Sequence, residues 1–157
     1  RGCRALASVE NSNSVTAIEN YAFSGCTSLA RVDIPDSVTT IGSGAFKGCS
    51  ALARVYIPNS VTIIGYYAFE GCTSLASITI PDSVDKIRPY AFIKCTILKE
   101  VSILRWTKYY RWETFPSKTN LKKRKLHELP CACNADGNLC IPHCVSLQIP
   151  CCGYGRN

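Results

Sequence analysis

The stretch Leu29-Ala30-Arg31-Val32-Asp33-Ile34-Pro35-Asp36-Ser37-Val38-Thr39-Thr40-Ile41-Gly42-Ser43-Gly44-Ala45-Phe46-Lys47-Gly48-Cys49 decides the fold. Val32 and Ile34 alternate with Arg31 and Asp33, the pattern of a half-buried strand. Pro35 cannot donate to a ladder, so the strand is expected to end there in a turn. Ser37 to Ile41 is rich in β-branched residues and reads as a second short extended piece. Gly42 allows a bend, and Ala45-Phe46 is expected in one short helical or 3₁₀ turn before Gly48-Cys49 leads to the next unit.

The same string recurs every 23 residues along the chain. Ala-Phe falls at Phe23, Phe46, Phe69 and Phe92; Cys at Cys3, Cys26, Cys49, Cys72 and Cys95; Leu at Leu6, Leu29, Leu52, Leu75 and Leu98. Val9, Val32, Val55, Ile78 and Val101 form a further column, and Ile18, Ile41, Ile64 and Ile87 another. A unit this short cannot bury its own apolar face, but stacked units can. The expected architecture is therefore a short parallel β-solenoid, mainly parallel β with short helical or 3₁₀ turns, over residues 1–126. Phe115 keeps the Phe spacing, Thr119 would continue Thr96, Leu121 would continue Leu98, and Lys122 would match Lys99. On that register Lys118 replaces the Cys column, Arg124 replaces the Val column, and residues 105–126 form a degenerate, polar capping rung. Residues 127–157 are read as a separate Cys-rich tail.

The string Ile-Pro-x-Ser-Val-Thr-x-Ile-Gly-x-x-Ala-Phe-x-Gly-Cys-x-x-Leu resembles the BspA-like class of leucine-rich repeats, over residues 1 to about 104. The departures are Glu19 and Arg88 at the Gly column, Lys94 at the Gly before Cys, and Asn11 and Leu104 at the two ends. The resemblance implies a surface or secreted adhesion protein that binds other proteins. Extracellular or cell-surface location is expected on that basis, with an organelle or intracellular complex as the alternative.

Composition narrows the function classes. The chain has 157 residues, 46% hydrophobic and 18% charged, with 11 Cys and no Met. Absence of Met reads as a processed or truncated piece, and Arg1-Gly2-Cys3-Arg4 does not open a secretory signal. No apolar run approaches the ~18 residues of a membrane-spanning helix. The net charge of +7 is concentrated between Arg105 and Pro130; residues 1–104 are nearly neutral.

Four features invite a functional reading. The Cys column suggests a metal or redox row, but a single file of packed thiols does not surround an ion tetrahedrally, and such thiols behave as small apolar residues. Cys131, Cys133, Cys140, Cys144, Cys151 and Cys152 make an even six near the C-terminus, with His143 among them. They are disulfide candidates if the protein is exported, and a tail without defined pairing if it is not. Their spacing is not that of a standard zinc finger. The third feature is a basic–aromatic patch, in which Arg105, Lys108 and Arg111 interleave with Trp106, Tyr109 and Trp112, followed by Lys122, Lys123, Arg124 and Lys125. It suits nucleic acid or an anionic membrane surface, although such a run is more often a solvated face.

The fourth feature is the outward face of the main strand. Arg31 and Asp33, Arg54 and Tyr56, Ser77 and Thr79, and Glu100 flank the inward Val column and differ from rung to rung, while the core columns barely change. A rigid sheet with a varied outer face is how repeat proteins build binding surfaces. Arg and Tyr are frequent interface anchors. No catalytic constellation is recognisable, and neither a cofactor nor a metal is expected. The expected partner is another protein, rather than nucleic acid or a small-molecule substrate. A small accessory subunit of a larger assembly is the alternative, and binding of an anionic polymer through 105–125 is a third reading.

Overall fold

A computed structural model describes residues 14–104 and 114–124. These residues lie in one compact unit, Arg1–Arg124; a second unit, Lys125–Asn157, falls outside the described residues. The described chain repeats two short strands per rung, and all strand pairs are parallel. One ladder joins β1 (Ala17–Ile18), β3 (Thr40–Ile41), β5 (Ile63–Ile64) and β7 (Lys86–Ile87). The second set comprises β2 (Arg31–Asp33) paired with β4 (Arg54–Tyr56), then β6 (Ser77–Thr79), β8 (Glu100–Leu104) and β9 (Asn120–Arg124) paired in that order. Val32 stands opposite Val55, and Ile78 opposite Val101, one 23-residue period apart.

The repeated columns form the core. Leu29, Leu52 and Leu75 are fully buried, as are Ile41, Ile64, Phe46, Phe69 and Phe92. The Phe rings stack from Phe23 through Phe115 with centroids 5.1 to 5.4 Å apart and nearly parallel planes. The polar columns tie rung to rung. Ser37, Ser60 and Ser83 donate their hydroxyls to the carbonyls of Val15, Val38 and Val61 in the preceding rung, at 2.6 to 2.7 Å. The pairs Ser37-Val38, Ser60-Val61 and Ser83-Val84 thus each supply one core residue and one cross-rung hydrogen bond.

The segment around Ala-Phe is not helical: residues 14–104 contain no helical turn. It is a succession of β-turns, with Ala45 N–H donating to Gly42, Lys47 to Gly44 and Cys49 to Phe46. Two positions per rung take left-handed backbone, at Gly44 and Gly48 in one rung and at Tyr67 and Gly71 in the next. That conformation breaks a helix and frees the intervening amides. Phe46 N–H then donates to Ala68 O, and Gly48 N–H to Glu70 O, both at 2.7 Å, building a third inter-rung ladder. The second extended piece is also shorter than Ser37–Ile41. Val38 N–H donates back to Pro35 O, so only Thr40 and Ile41 remain as strand.

The last rung corrects the expected register. Phe115 stacks on Phe92 one period later, as expected, with centroids 5.3 Å apart. After it the chain takes a shorter route. Leu121 stands opposite Val101 and Arg124 opposite Leu104, a step of 20 residues. Leu121 therefore fills the Val column, not the Leu column. Lys122 matches Ser102, not Lys99, and Arg124 lies beyond the Val column. Three residues are missing from the turn that holds Cys and Leu in the other rungs. Thr119, buried, donates its hydroxyl to Leu98 O at 2.9 Å in the space this leaves.

Candidate functional site

The strand alternation that buries Val32, Ile78 and Val101 turns their neighbours outward. Arg31, Asp33, Arg54, Tyr56, Ser77, Thr79 and Glu100 are all exposed on this set of strands. Their charges are not equivalent. Arg31 meets Asp33 Oδ2 from Nε at 2.9 Å and from Nη2 at 2.8 Å. Glu100 meets Lys122 Nζ at 3.0 Å. Arg54 makes no side-chain hydrogen bond or ion pair among the described residues, and Tyr56 beside it is 56% exposed. The sheet is also interrupted here: β4 pairs with β2, and β6 with β8, but β4 and β6 are not paired with each other. Val55, at the centre of β4, is only partly buried.

Of the basic–aromatic patch, the described residues include Lys122, Lys123 and Arg124, which lie on β9. Lys122 is exposed and engaged with Glu100. Arg105, Trp106, Lys108, Tyr109, Arg111, Trp112 and Lys125 lie outside the described residues, as do Cys131, Cys133, Cys140, Cys144, Cys151 and Cys152. The column cysteines Cys26, Cys49, Cys72 and Cys95 are free and buried. Cys49, Cys72 and Cys95 donate their thiols to the carbonyls of Phe23, Phe46 and Phe69, at 3.1 to 3.3 Å. Burial pushes the Cys49 thiol up to about 11 and the Cys95 thiol up to about 12, and raises Cys72 as well.

Two clusters were not anticipated from the sequence. The first is a tyrosine corner on the turns before Ala-Phe. Tyr21, Tyr67 and Tyr90 share one column and hold left-handed backbone, with φ of 58°, 55° and 63°. That conformation is unfavourable for an aromatic side chain. Tyr67 and Tyr90 stack at 5.0 Å, Lys47 Nζ lies 5.4 Å from the Tyr67 ring, and the Arg88 guanidinium lies 5.5 Å from Tyr66. Gly44 holds the remaining place in the column because the Tyr21 ring occupies it: a Cβ there would stand 2.4 Å from Tyr21 Cε1. The 23-residue recurrence of Tyr before Ala-Phe was the available signal.

The second cluster is the buried Glu70. Its Oε1 accepts a hydrogen bond from Lys94 Nζ at 2.8 Å, and its Oε2 lies 2.7 Å from Lys47 Nζ in an ion pair without hydrogen-bond geometry. Burial opposes ionisation of Glu70, but the two ammonium groups outweigh it and hold the carboxyl below its ordinary value. Lys94 replaces the usual Gly and keeps that position's left-handed backbone (φ 62°) while reaching Glu70. A carboxyl lowered in the folded state stabilises above its unfolded pKa, and the contribution is lost as pH falls through the folded value. Glu70→Gln should lower stability at pH 7 by about 1 kcal/mol, since both lysines are largely exposed and screened. The gap between variant and wild type should close from about pH 5 downward, in thermal unfolding measured across pH. A gap that stays constant to pH 3 would contradict this assignment.

Comparison with known proteins agrees with this architecture. The family model for the BspA-type leucine-rich repeat region matches residues 1–122 in 6 copies. The fold is similar to a leucine-rich cell surface protein from Faecalibacterium prausnitzii, with TM-score 0.64 and 30% identity over 76% of this chain and 32% of that one. It is also similar to a leucine-rich repeat protein of T. pallidum, with TM-score 0.55 and 36% identity over 68% of this chain and 44% of that one. A Bacteroides ovatus leucine-rich repeat protein gives TM-score 0.58 and 28% identity, over 79% and 38%. The chain thus spans less than half the length of these solved structures. No curated protein matches it.

Proposed function

The chain belongs to the BspA-type leucine-rich repeat family, and from that premise we propose that it is a non-catalytic protein-binding module of a cell surface. The proposed contact surface is the outward face of β2, β4, β6 and β8. One observation carries the reading: the buried columns repeat, while the exposed residues beside them change from Arg31 and Asp33 to Arg54 and Tyr56 to Ser77 and Thr79. The core holds these positions on a rigid frame, so their variation alters the surface without altering the fold. The cell-surface part of the proposal draws on the Faecalibacterium neighbour. We further propose that 1–126 is the solenoid domain and 127–157 a separate Cys-rich tail, and that the six tail cysteines pair in disulfides after export.

The test compares proteins from an extracellular mixture such as serum, retained on the immobilised full chain and on two variants. Tyr56→Ala with Thr79→Arg should reduce retention at least about tenfold, as expected when an aromatic anchor is lost. Lys122→Gln, Lys123→Gln and Arg124→Gln together should leave it within about twofold. Retention should also survive a rise from low to moderate salt. If the triple variant or the salt removes retention and the face variant does not, the anionic-surface reading through 105–125 replaces this one.

A further inference from the structure

Resting on that reading of the strand face, we infer that its partner presents an acidic segment, with a carboxylate paired to Arg54 and an adjoining apolar side chain laid on Tyr56. The charge arrangement carries the inference. At one end of the face Arg31 is neutralised by Asp33 in the same strand. At the other end Glu100 is neutralised by Lys122 in the final rung. Between them Ser77 and Thr79 are exposed and uncharged. Arg54 is therefore the one charge on β2, β4, β6 and β8 left without a partner among the described residues.

Ladder register places Arg54 directly opposite Arg31. Like charges in opposed positions destabilise a sheet unless each finds a counter-ion. Arg31 has one and Arg54 does not, so a carboxylate arriving at Arg54 completes a pattern the face itself leaves open. A guanidinium offers a planar fork suited to two-point contact with a carboxylate. Tyr56 follows Arg54 by two residues and shares its side of β4, more than half exposed, with room for an apolar group beside the ion pair.

The test is selection from a random peptide display library on the full chain. The selected peptides should carry Asp or Glu next to an apolar or aromatic residue. A synthetic peptide of the selected sequence should bind Arg54→Glu at least about tenfold more weakly than wild type, and Tyr56→Ala several-fold more weakly. Lys86→Gln, on β7 in the other ladder, should leave its affinity unchanged. Replacing the peptide's acid by Asn should remove the sensitivity to Arg54→Glu. Peptides that are neutral yet lose affinity with Tyr56→Ala and Thr79→Arg would overturn the acidic-partner inference and leave the strand-face reading standing. Peptides insensitive to every strand-face variant would overturn both. Failure to select any peptide counts against the acidic-segment inference alone.

Discussion

Phe69→Ala should cost about 3–5 kcal/mol of stability. Phe69 is fully buried at the middle of the ring ladder, between Phe46 at 5.2 Å and Phe92 at 5.1 Å. Removing it leaves a cavity with neighbours on both sides that are themselves fixed by the ladder, so collapse is restricted. It also removes two ring–ring contacts at once. A solenoid is held together rung by rung, and a central defect uncouples the halves in a way that a terminal one does not. Phe23→Ala, at a partly buried ring with one stacking neighbour among the described residues, should therefore cost roughly half as much. Denaturant unfolding of both variants checks this. Equal losses, or a loss below about 1 kcal/mol at Phe69, would contradict a core organised around the ring column.

The second large effect is chemical. Thiolate, not thiol, reacts with alkylating reagents. At about pH 8 an ordinary cysteine is about one-quarter thiolate, while a pKa near 11 or 12 leaves about one part in a thousand or less. Cys49 and Cys95 are in that range, raised mainly by burial, and both are inaccessible. Cys72 lies between them under the same burial. These three should resist iodoacetamide in the native protein by at least about a hundredfold relative to the unfolded chain. Peptide mapping by mass spectrometry reads each site separately. Labelling of Cys72 at an ordinary thiol rate without unfolding would contradict the packed, inert column.

The sequence made the scaffold readable because a single period aligns every core column, and burial then follows from strand alternation at Val32 and Ile78. Its limits were local. The helical expectation at Ala45-Phe46 failed because Gly44 and Gly48 hold left-handed backbone and convert the segment to β-turns. Gly48 carried that signal, but Tyr21, Tyr67 and Tyr90 hid it, since aromatic residues seldom adopt this conformation. In the last rung, Leu121 and Lys122 matched Leu98 and Lys99 in identity at the usual spacing. The shortened turn after Phe115 instead seats Leu121 in the Val column, where its side chain is partly buried.

The candidate face was legible as a list of outward residues but not as an electrostatic pattern. Arg31 and Asp33 are two apart on one strand, so their pairing follows from the alternation. The Glu100–Lys122 pair depends on the 20-residue step of the final rung and could not be read from the 23-residue period. Without it, Arg54 does not stand out from the other charges. The Glu70 cluster likewise depends on Lys94 taking a glycine conformation.

The central claim, that partners dock on the strand face, is tested most directly by hydroxyl-radical footprinting of the full chain with and without a bound partner. The exposed tyrosines report on separate surfaces: Tyr56 on the strand face, and Tyr21, Tyr66 and Tyr67 on the turn corner. The account predicts that partner binding protects Tyr56 from oxidation and leaves the other three unchanged. Protection of Tyr21, Tyr66 and Tyr67 with Tyr56 still oxidised would contradict it and move the binding surface to the tyrosine corner.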